Sequence, residues 1–131
     1  MADKPFHDPI TEKIIGAALA VHRGLGPGFE EVLYQRALAL ELDARGLDQG
    51  REIWMDIHYR GQIVGKKRVD FIVEHVMVEI KAKSALEDRD FMQTLSYLRA
   101  SSYRVGSLLN FGDKLLGIKR LLNGWDPSQD R

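Results

Sequence analysis

The sequence predicts one α/β domain built around a mixed sheet, with elements in the order α-α-β-β-β-α-β-α. Three observations indicate this class. Apolar residues recur at helical spacing in the first third of the chain, and they alternate with polar residues in the middle. The 131 residues, 44% of them hydrophobic, are enough for one sizeable core. No repeat, low-complexity segment or linker divides them, so we expect residues 1–131 to form a single domain.

Two helices are predicted before the sheet. Asp8 and Pro9 are typical of a helix start, with Asp8 as the N-cap and Pro9 at the first helical position. The helical pattern breaks at Gly26-Pro27-Gly28. A second helix is expected from Phe29 to Arg45, because its apolar stripe ends just before Gly46, a typical C-terminal stop.

The middle of the chain has the alternation of β-strands. Turns are expected at Arg60-Gly61-Gln62 and at Glu74-His75, and Gly65 is a candidate bulge. The strand segments are predicted at residues 53–59, 63–64, 68–73 and 76–82.

Three further elements complete the predicted order. Ser84 with Glu87 fits a capping box, so we expect a third helix from Ser84 to about Ser101. Tyr103 to Phe111 is predicted to be a buried central strand, because its middle is nearly all apolar or small. Leu115 to Leu122 is predicted to form a short last helix.

Composition limits the classes of function. The 19 basic and 19 acidic residues give a net charge of zero, which counts against strong nonspecific binding to nucleic acid. Local basic patches exist, although solvation explains them equally well; they are Lys66-Lys67-Arg68, Lys81, Lys83 and Lys119-Arg120. The chain has no cysteine, which excludes disulfides, thiolate metal sites and a cysteine nucleophile.

The sequence pattern predicts neither a membrane span nor an export signal. No apolar run approaches the roughly 18 residues of a membrane span. Met1 to Pro5 lacks the apolar region of a signal peptide. We therefore expect a cytoplasmic protein that does not bind membranes.

Charged residues on two of the predicted strands form the pattern D-x8-E-x-K, at Asp70, Glu79 and Lys81. If these strands pair as a hairpin, Asp70 lies alongside Glu79. Glu79 and Lys81 would share a face, roughly 7 Å apart. Carboxylate oxygens suit Mg²⁺ or Mn²⁺, and a nearby lysine can orient water or stabilise charge on a phosphate. The pattern therefore indicates metal-dependent phosphodiester hydrolysis.

A structural explanation of the same pattern stays open. Charged residues on the solvent face of a sheet are ordinary, and this spacing alone arises often by chance. The strand context favours a site, because Asp70 lies within an apolar strand, where a charge needs a partner or a metal.

Several segments match a known family in order along about residues 10–124. They are Val21–Gly28, Gly28-Phe29-Glu30-Glu31-Val32-Leu33-Tyr34, Arg68–Phe71, Val78–Ala82, Gln93 with Tyr97-Leu98, Leu109–Gly112 and Gly117–Arg120. On these segments the chain resembles the GxxExxY proteins, a group within the PD-(D/E)XK nuclease superfamily. The resemblance implies a restriction-endonuclease-like core of order α-β-β-β-α-β, here with an extra N-terminal and C-terminal helix. One departure is Val69, which stands where the family usually has proline.

The resemblance also implies roles for individual residues. Asp70 and Glu79 correspond to the acidic metal-binding pair and Lys81 to the catalytic lysine, with the carbonyl of Ile80 as a further metal ligand. Glu31 corresponds to an extra acidic residue, although a place in the first turn of its helix would explain it as well. Gln93 corresponds to a helical residue close to the site; the alternative is a structural pair with Tyr97 at spacing i, i+4.

The leading hypothesis is thus a Mg²⁺- or Mn²⁺-dependent nuclease acting on nucleic acid, with DNA preferred. One alternative is a non-cleaving binding or regulatory module, which acts with a partner protein. The other is a structural or toxin-type partner protein that acts in a larger assembly. We also expect a homodimer, formed through the Leu108-Leu109 strand or the Leu115–Leu122 helix. Trp54 and Tyr59 are expected to be packing residues rather than platforms for bases.

Overall fold

The computed structural model describes residues 8–124, which form three helices and five strands. The helices are α1 (Pro9–Leu25), α2 (Glu31–Ala44) and α3 (Asp88–Ala100), and the strands are β1 (Gln49–Tyr59), β2 (Gln62–Val73), β3 (Val76–Lys81), β4 (Val105–Asn110) and β5 (Gly117–Leu122). The strands lie in the order β1-β2-β3-β4-β5, with β3 and β4 parallel and the other neighbours antiparallel. Helix α3 is the crossover that the parallel pair requires. The expected mixed sheet is therefore confirmed.

The sheet carries helices on both faces. Helices α1 and α2 bury the larger apolar cluster against one face, where Phe71 and Val78 contribute from the sheet. Helix α3 covers the other face with Leu95 and Leu98, which pack with Met77. Strand β4 lies between the two layers, and every one of its residues is buried, as expected. No helix within residues 8–124 is long and apolar enough to cross a membrane.

The first two helices follow the predictions closely. Asp8 is the N-cap of α1, where its carboxylate accepts a hydrogen bond from the backbone N–H of Thr11 at 3.0 Å, and Pro9 is the first helical residue. Helix α2 begins at Glu31, two residues after the expected start at Phe29. Glu31 is therefore the first residue of its helix.

The expected capping box of α3 is wrong in position. The helix begins at Asp88, and the box is formed by Glu87 with Asp90 rather than by Ser84 with Glu87. Asp90 accepts the backbone N–H of Glu87 at 2.9 Å. Both residues also bind the amine of Lys83.

The expected C-terminal helix is also wrong, because Gly117–Leu122 forms strand β5, antiparallel to β4. Without β5, the buried strand β4 would leave an unpaired edge, which proteins avoid. Ile118 packs on the α1–α2 side and Leu121 on the α3 side, so the segment serves both clusters.

The two dimer interfaces expected from the sequence are wrong as well. Leu108 and Leu109 are fully buried inside the sheet. The Leu115–Leu122 helix does not exist. The homodimer itself stays a prediction.

Strands β1 and β2 form a long antiparallel ribbon. Ile57 pairs with Gly65 and His58 with Ile63, so the extra residue of the bulge is Val64, next to the expected Gly65. The expectation that Trp54 and Tyr59 are packing residues is wrong, because they are 62% and 68% exposed. The guanidinium of Arg68 lies 5.9 Å from the ring centre of Trp54.

Candidate active site

Asp70 on β2 and Glu79 on β3 are adjacent in the structure. Backbone pairing of the two strands runs from Val73 opposite Val76 to Phe71 opposite Val78. Beyond that point the backbone N–H of Asp70 donates to Oε2 of Glu79 at 2.8 Å, and the N–H of Ile80 donates to Oδ2 of Asp70 at 2.8 Å. Two carboxylates thus take the place of ladder hydrogen bonds. Their positions are fixed by the backbone of the opposite strand.

Strand β2 changes its orientation at Asp70. Phe71 and Val73 pack in the α1–α2 cluster, whereas Val69 packs in the α3 cluster, although strict alternation would place all three on one face. In the neighbouring strand, Arg51 pairs with Phe71 and Ile53 with Val69. Glu52 between them has a φ of 54°, which is uncommon for a residue other than glycine. The local distortion thus occurs where Asp70 leaves the regular ladder.

The acidic pair lies in an environment that disfavours two negative charges. Glu79 is only 6% exposed. Burial, followed by the charge of Asp70, raises the pKa of Glu79 to about 7. Burial also raises the pKa of Asp70, although the Ile80 N–H and nearby basic groups oppose the shift. A divalent cation would relieve this repulsion.

The positive charges of two lysines act on the acidic pair. Lys81 at the end of β3 is partly buried, and its charge lowers the pKa values of Asp70 and Glu79. Lys67 does the same, and its amine lies 4.5 Å from the ring centre of Tyr97 on α3. The sequence indicated Lys81 by its spacing. It placed Lys67 only in a local basic patch.

Gln35 is a site residue that the sequence analysis missed. Its side chain is buried, and Nε2 donates to Oδ1 of Asp70 at 3.1 Å. Its Oε1 accepts from Nη2 of Arg51 at 3.3 Å. Gln35 stands four residues after Glu31, on the same side of α2, which is the one signal that could have indicated it.

Glu31 is coupled to Asp70 from the start of α2. Partial burial, followed by the charge of Asp70, raises the pKa of Glu31, and Lys81 lowers it. Within residues 8–124, however, no group of three or more His, Cys, Asp or Glu side chains is arranged to hold a metal ion. The arrangement that fits a divalent cation is therefore the adjacent pair Asp70 and Glu79, whose carboxylates supply oxygen donors.

Tyr34 holds the loop that precedes α2. Its side chain is fully buried and stacks on Phe111 with ring centres 4.9 Å apart. Its hydroxyl donates to the carbonyl of Gly26 at 2.5 Å and accepts from the N–H of Phe29 at 3.1 Å. Gly28 in this loop has a φ of 115°, which side-chain-bearing residues rarely adopt. Tyr34 therefore determines where α2 begins, and with it the position of Glu31.

Gln93 of α3 lies near Lys81, and its role in the site stays a prediction. Both line an open cavity of about 330 Å³, together with Lys83, Arg89 and Asp90. Three of the five lining residues are basic, so the cavity is cationic. Lys81 connects it to the acidic pair, because its charge also acts on Glu79. The sequence placed Lys83 only in a basic patch and did not indicate Arg89 or Asp90.

The segment after β4 clamps the end of β3. The Asn110 side chain accepts from the N–H of Lys83 at 3.0 Å and donates to its carbonyl at 2.9 Å. The N–H of Phe111 donates to the carbonyl of Lys81 at 2.9 Å. Gly112 packs so closely that a Cβ atom there would lie 2.4 Å from the backbone nitrogen of Lys83. The backbone that carries Lys81 and Lys83 is thus held in place by residues 110–112.

A mixed sheet between helices, with an acidic pair and a lysine at the split between two strands, is the arrangement expected of a PD-(D/E)XK-like fold. A family model of the PD-(D/E)XK nuclease superfamily matches residues 8–121. The chain therefore belongs to that superfamily. Membership of the GxxExxY group within it stays a prediction.

Two further comparisons add little to this assignment. Among solved structures, the chain is similar to one titled "Crystal structure of SSO0001", with 18% identity and a TM-score of 0.49 over 94% of this chain and 82% of that chain. No curated protein matches the sequence.

Proposed function

We propose that this protein is a metal-dependent nuclease that hydrolyses phosphodiester bonds in DNA. The observation that carries the proposal is the pair of buried Glu79 and partly buried Asp70, which is fixed by backbone hydrogen bonds beside Lys81. Burial raises the pKa values of both carboxylates, and the charge of Asp70 raises that of Glu79 further, so placing the two together costs stability in the absence of a cation. A catalytic metal site does need them, and membership of a nuclease superfamily agrees with this reading.

In the proposed site, Asp70, Glu79 and the carbonyl of Ile80 would hold Mg²⁺ or Mn²⁺. Glu31, whose pKa is raised in part by the charge of Asp70, is the additional acidic residue that α2 would bring to the cation. The cation supplies Lewis acidity toward the phosphate and lowers the pKa of bound water. The amine of Lys81 positions the attacking water or stabilises charge on the phosphate. Gln93, which shares a cavity with Lys81, orients that amine or the water. Gln35 keeps the Asp70 carboxylate in place.

A non-cleaving nucleic-acid-binding module is the second candidate. The observation in its favour is the cationic cavity, because a pocket with three basic side chains suits phosphate binding with or without hydrolysis. Incubation of labelled single-stranded, duplex and branched DNA, and the matching RNAs, with Mn²⁺ separates the two. The nuclease proposal expects products from at least one substrate and none in EDTA. The binding module expects complexes without products.

The metal site leads to a stability prediction. A cation that binds only the folded protein stabilises it by RT ln(1 + [L]/Kd), about 2.7 kcal/mol at a hundred times Kd. We therefore expect Mn²⁺ to raise the melting temperature of the wild type, and Asp70→Asn to abolish the increase. Thermal melts with and without millimolar Mn²⁺ measure this.

Asp56→Asn is the matched control for that experiment, because Asp56 is a β1 carboxylate paired with Lys66 on the exposed ribbon. It should keep the full response to Mn²⁺. The site would be refuted by equal responses in the two variants, or by a wild type that neither shifts nor takes up Mn²⁺ in titration calorimetry.

A further inference from the structure

We propose that the cavity beside Lys81 is a second phosphate subsite, in which Lys83 and Arg89 bind a phosphate group of the same strand next to the one that is cleaved. The inference deepens the proposed function and rests on it. It assigns Lys83 and Arg89 a binding role that the acidic-pair motif does not include.

Lys83 is fixed at both its backbone and its amine. Asn110 binds its N–H and its carbonyl, and Gly112 packs against the same peptide. Its Nζ donates to Asp90 at 2.8 Å and to Glu87 at 3.2 Å, and its side chain is only 30% exposed. A lysine that serves solubility alone does not need these constraints. A lysine that must present its charge at one place does.

Asp90 orients Lys83 rather than cancelling the cavity's charge. Its side chain is 8% exposed, and the oxygen that binds Lys83 also accepts the backbone N–H of Glu87. The hydrogen bond to Asp90 is the main reason that the pKa of Lys83 is raised, so the amine stays charged. The three basic side chains that line the cavity outnumber Asp90 and Glu87, the two acids that bind Lys83 and Arg89. The pocket therefore suits an anion.

Arg89 adds a second kind of donor at the open side of the cavity. Its side chain is 83% exposed, and Nε donates to Glu87 at 2.9 Å. A guanidinium carries five N–H donors, and this contact uses one of them. Arginine commonly binds phosphate through pairs of such donors. Because Lys83 and Arg89 line the same cavity, a phosphate bound there can accept hydrogen bonds from both.

Lys81 belongs to both the acidic pair's surroundings and this cavity. Lys83 follows it by two residues on the clamped segment. A strand whose cleaved phosphate lies at the acidic pair would thus place a neighbouring phosphate toward Lys83. That group is either an internal phosphodiester or a terminal phosphomonoester, since both present the same anionic oxygens.

Binding of labelled single-stranded and duplex DNA in EDTA tests the subsite without cleavage. We expect Lys83→Met and Arg89→Met each to weaken binding several-fold and to reduce the slope of log K against log salt by about 0.7 for single strands or about 0.9 for duplex. Lys83→Arg should restore most of the slope, because it keeps the charge. Lys13→Met is the matched control, because Lys13 is an exposed lysine on α1, on the opposite face of the sheet from α3.

Substrates with altered phosphates identify the ligand. Each altered substrate either carries a neutral methylphosphonate at one internal position or lacks the terminal phosphate. One of these substrates should bind the wild type more weakly than unmodified DNA does. The same substrate should bind Lys83→Met as tightly as unmodified DNA does. The position that responds distinguishes an internal from a terminal phosphate. If Lys83→Met fails to fold, Arg89→Met carries the same test.

The subsite is overturned if Lys83→Met and Arg89→Met keep the salt slope of Lys13→Met, or if no altered phosphate loses its effect in Lys83→Met. Failure of the nuclease proposal gives a different result, in which the slopes change as expected but no substrate is cleaved with Mn²⁺.

Discussion

Replacement of Lys81 by alanine is expected to reduce hydrolysis by roughly 100-fold or more while the response of the melting temperature to Mn²⁺ is retained. Lys81 is at the end of β3 and lines the cavity shared with Gln93, so its loss removes a charge from the site and leaves Asp70 and Glu79 bonded to the backbone. Single-turnover cleavage rates, measured with enzyme in excess, isolate the chemical step.

Lys66→Ala is the control for that measurement. Lys66 is an exposed lysine of β2 that pairs with Asp56. Its replacement should leave the rate within a few-fold of the wild type. A Lys81→Ala protein that cleaves as fast as Lys66→Ala would remove Lys81 from the mechanism. If Lys81→Ala differs from the wild type only in its affinity for DNA, the result would favour the binding module.

Glu79→Gln is expected to change the pH dependence of folding in metal-free protein. The folded-state pKa of Glu79 is about 7, above the ordinary value of 4.5. Between these values the folded protein keeps a proton that the unfolded chain has released, so stability falls as pH rises from about 4.5 through 7. The loss from this one group is about 3 kcal/mol. Glutamine does not ionise and should remove it.

Urea denaturation in EDTA at pH 5, 6, 7 and 8 measures this effect. The wild type should lose stability across the series, whereas Glu79→Gln should lose less and exceed the wild type at pH 8. The raised pKa of Asp70 acts in the same direction, so some dependence should remain. Glu41→Gln, at an i, i+4 ion pair with Arg45, is the control. Parallel curves for wild type and Glu79→Gln would contradict the proposed electrostatics.

Local patterns were sufficient for much of the fold. The start of α1 follows from Asp8 and Pro9, whose capping and ring geometry act within one turn. The adjacency of Asp70 and Glu79 follows from the short turn at Glu74-His75, because a tight hairpin fixes register. These features depend on residues close together in the chain, so a single sequence was enough to predict them.

The features that were missed depend on distant contacts. Residues 117–122 form a strand because the buried β4 offers them an edge, and their own sequence does not reveal that edge. The start of α3 depends on Lys83, whose backbone is held by Asn110 from 27 residues away. Gln35 reaches Asp70 across 35 residues. In each case tertiary packing outweighed a reasonable local pattern.

The most direct test of the central claim is the cleavage of labelled DNA by wild type and Asp70→Asn, prepared in parallel and assayed with Mn²⁺ and with EDTA. Asparagine keeps the shape of Asp70 but removes the charge that the metal needs. The proposed mechanism predicts Mn²⁺-dependent products from the wild type on at least one substrate form, none in EDTA, and a loss of at least 100-fold in Asp70→Asn. Equal cleavage by the two proteins would contradict it, as would a wild type that binds DNA and never cleaves it.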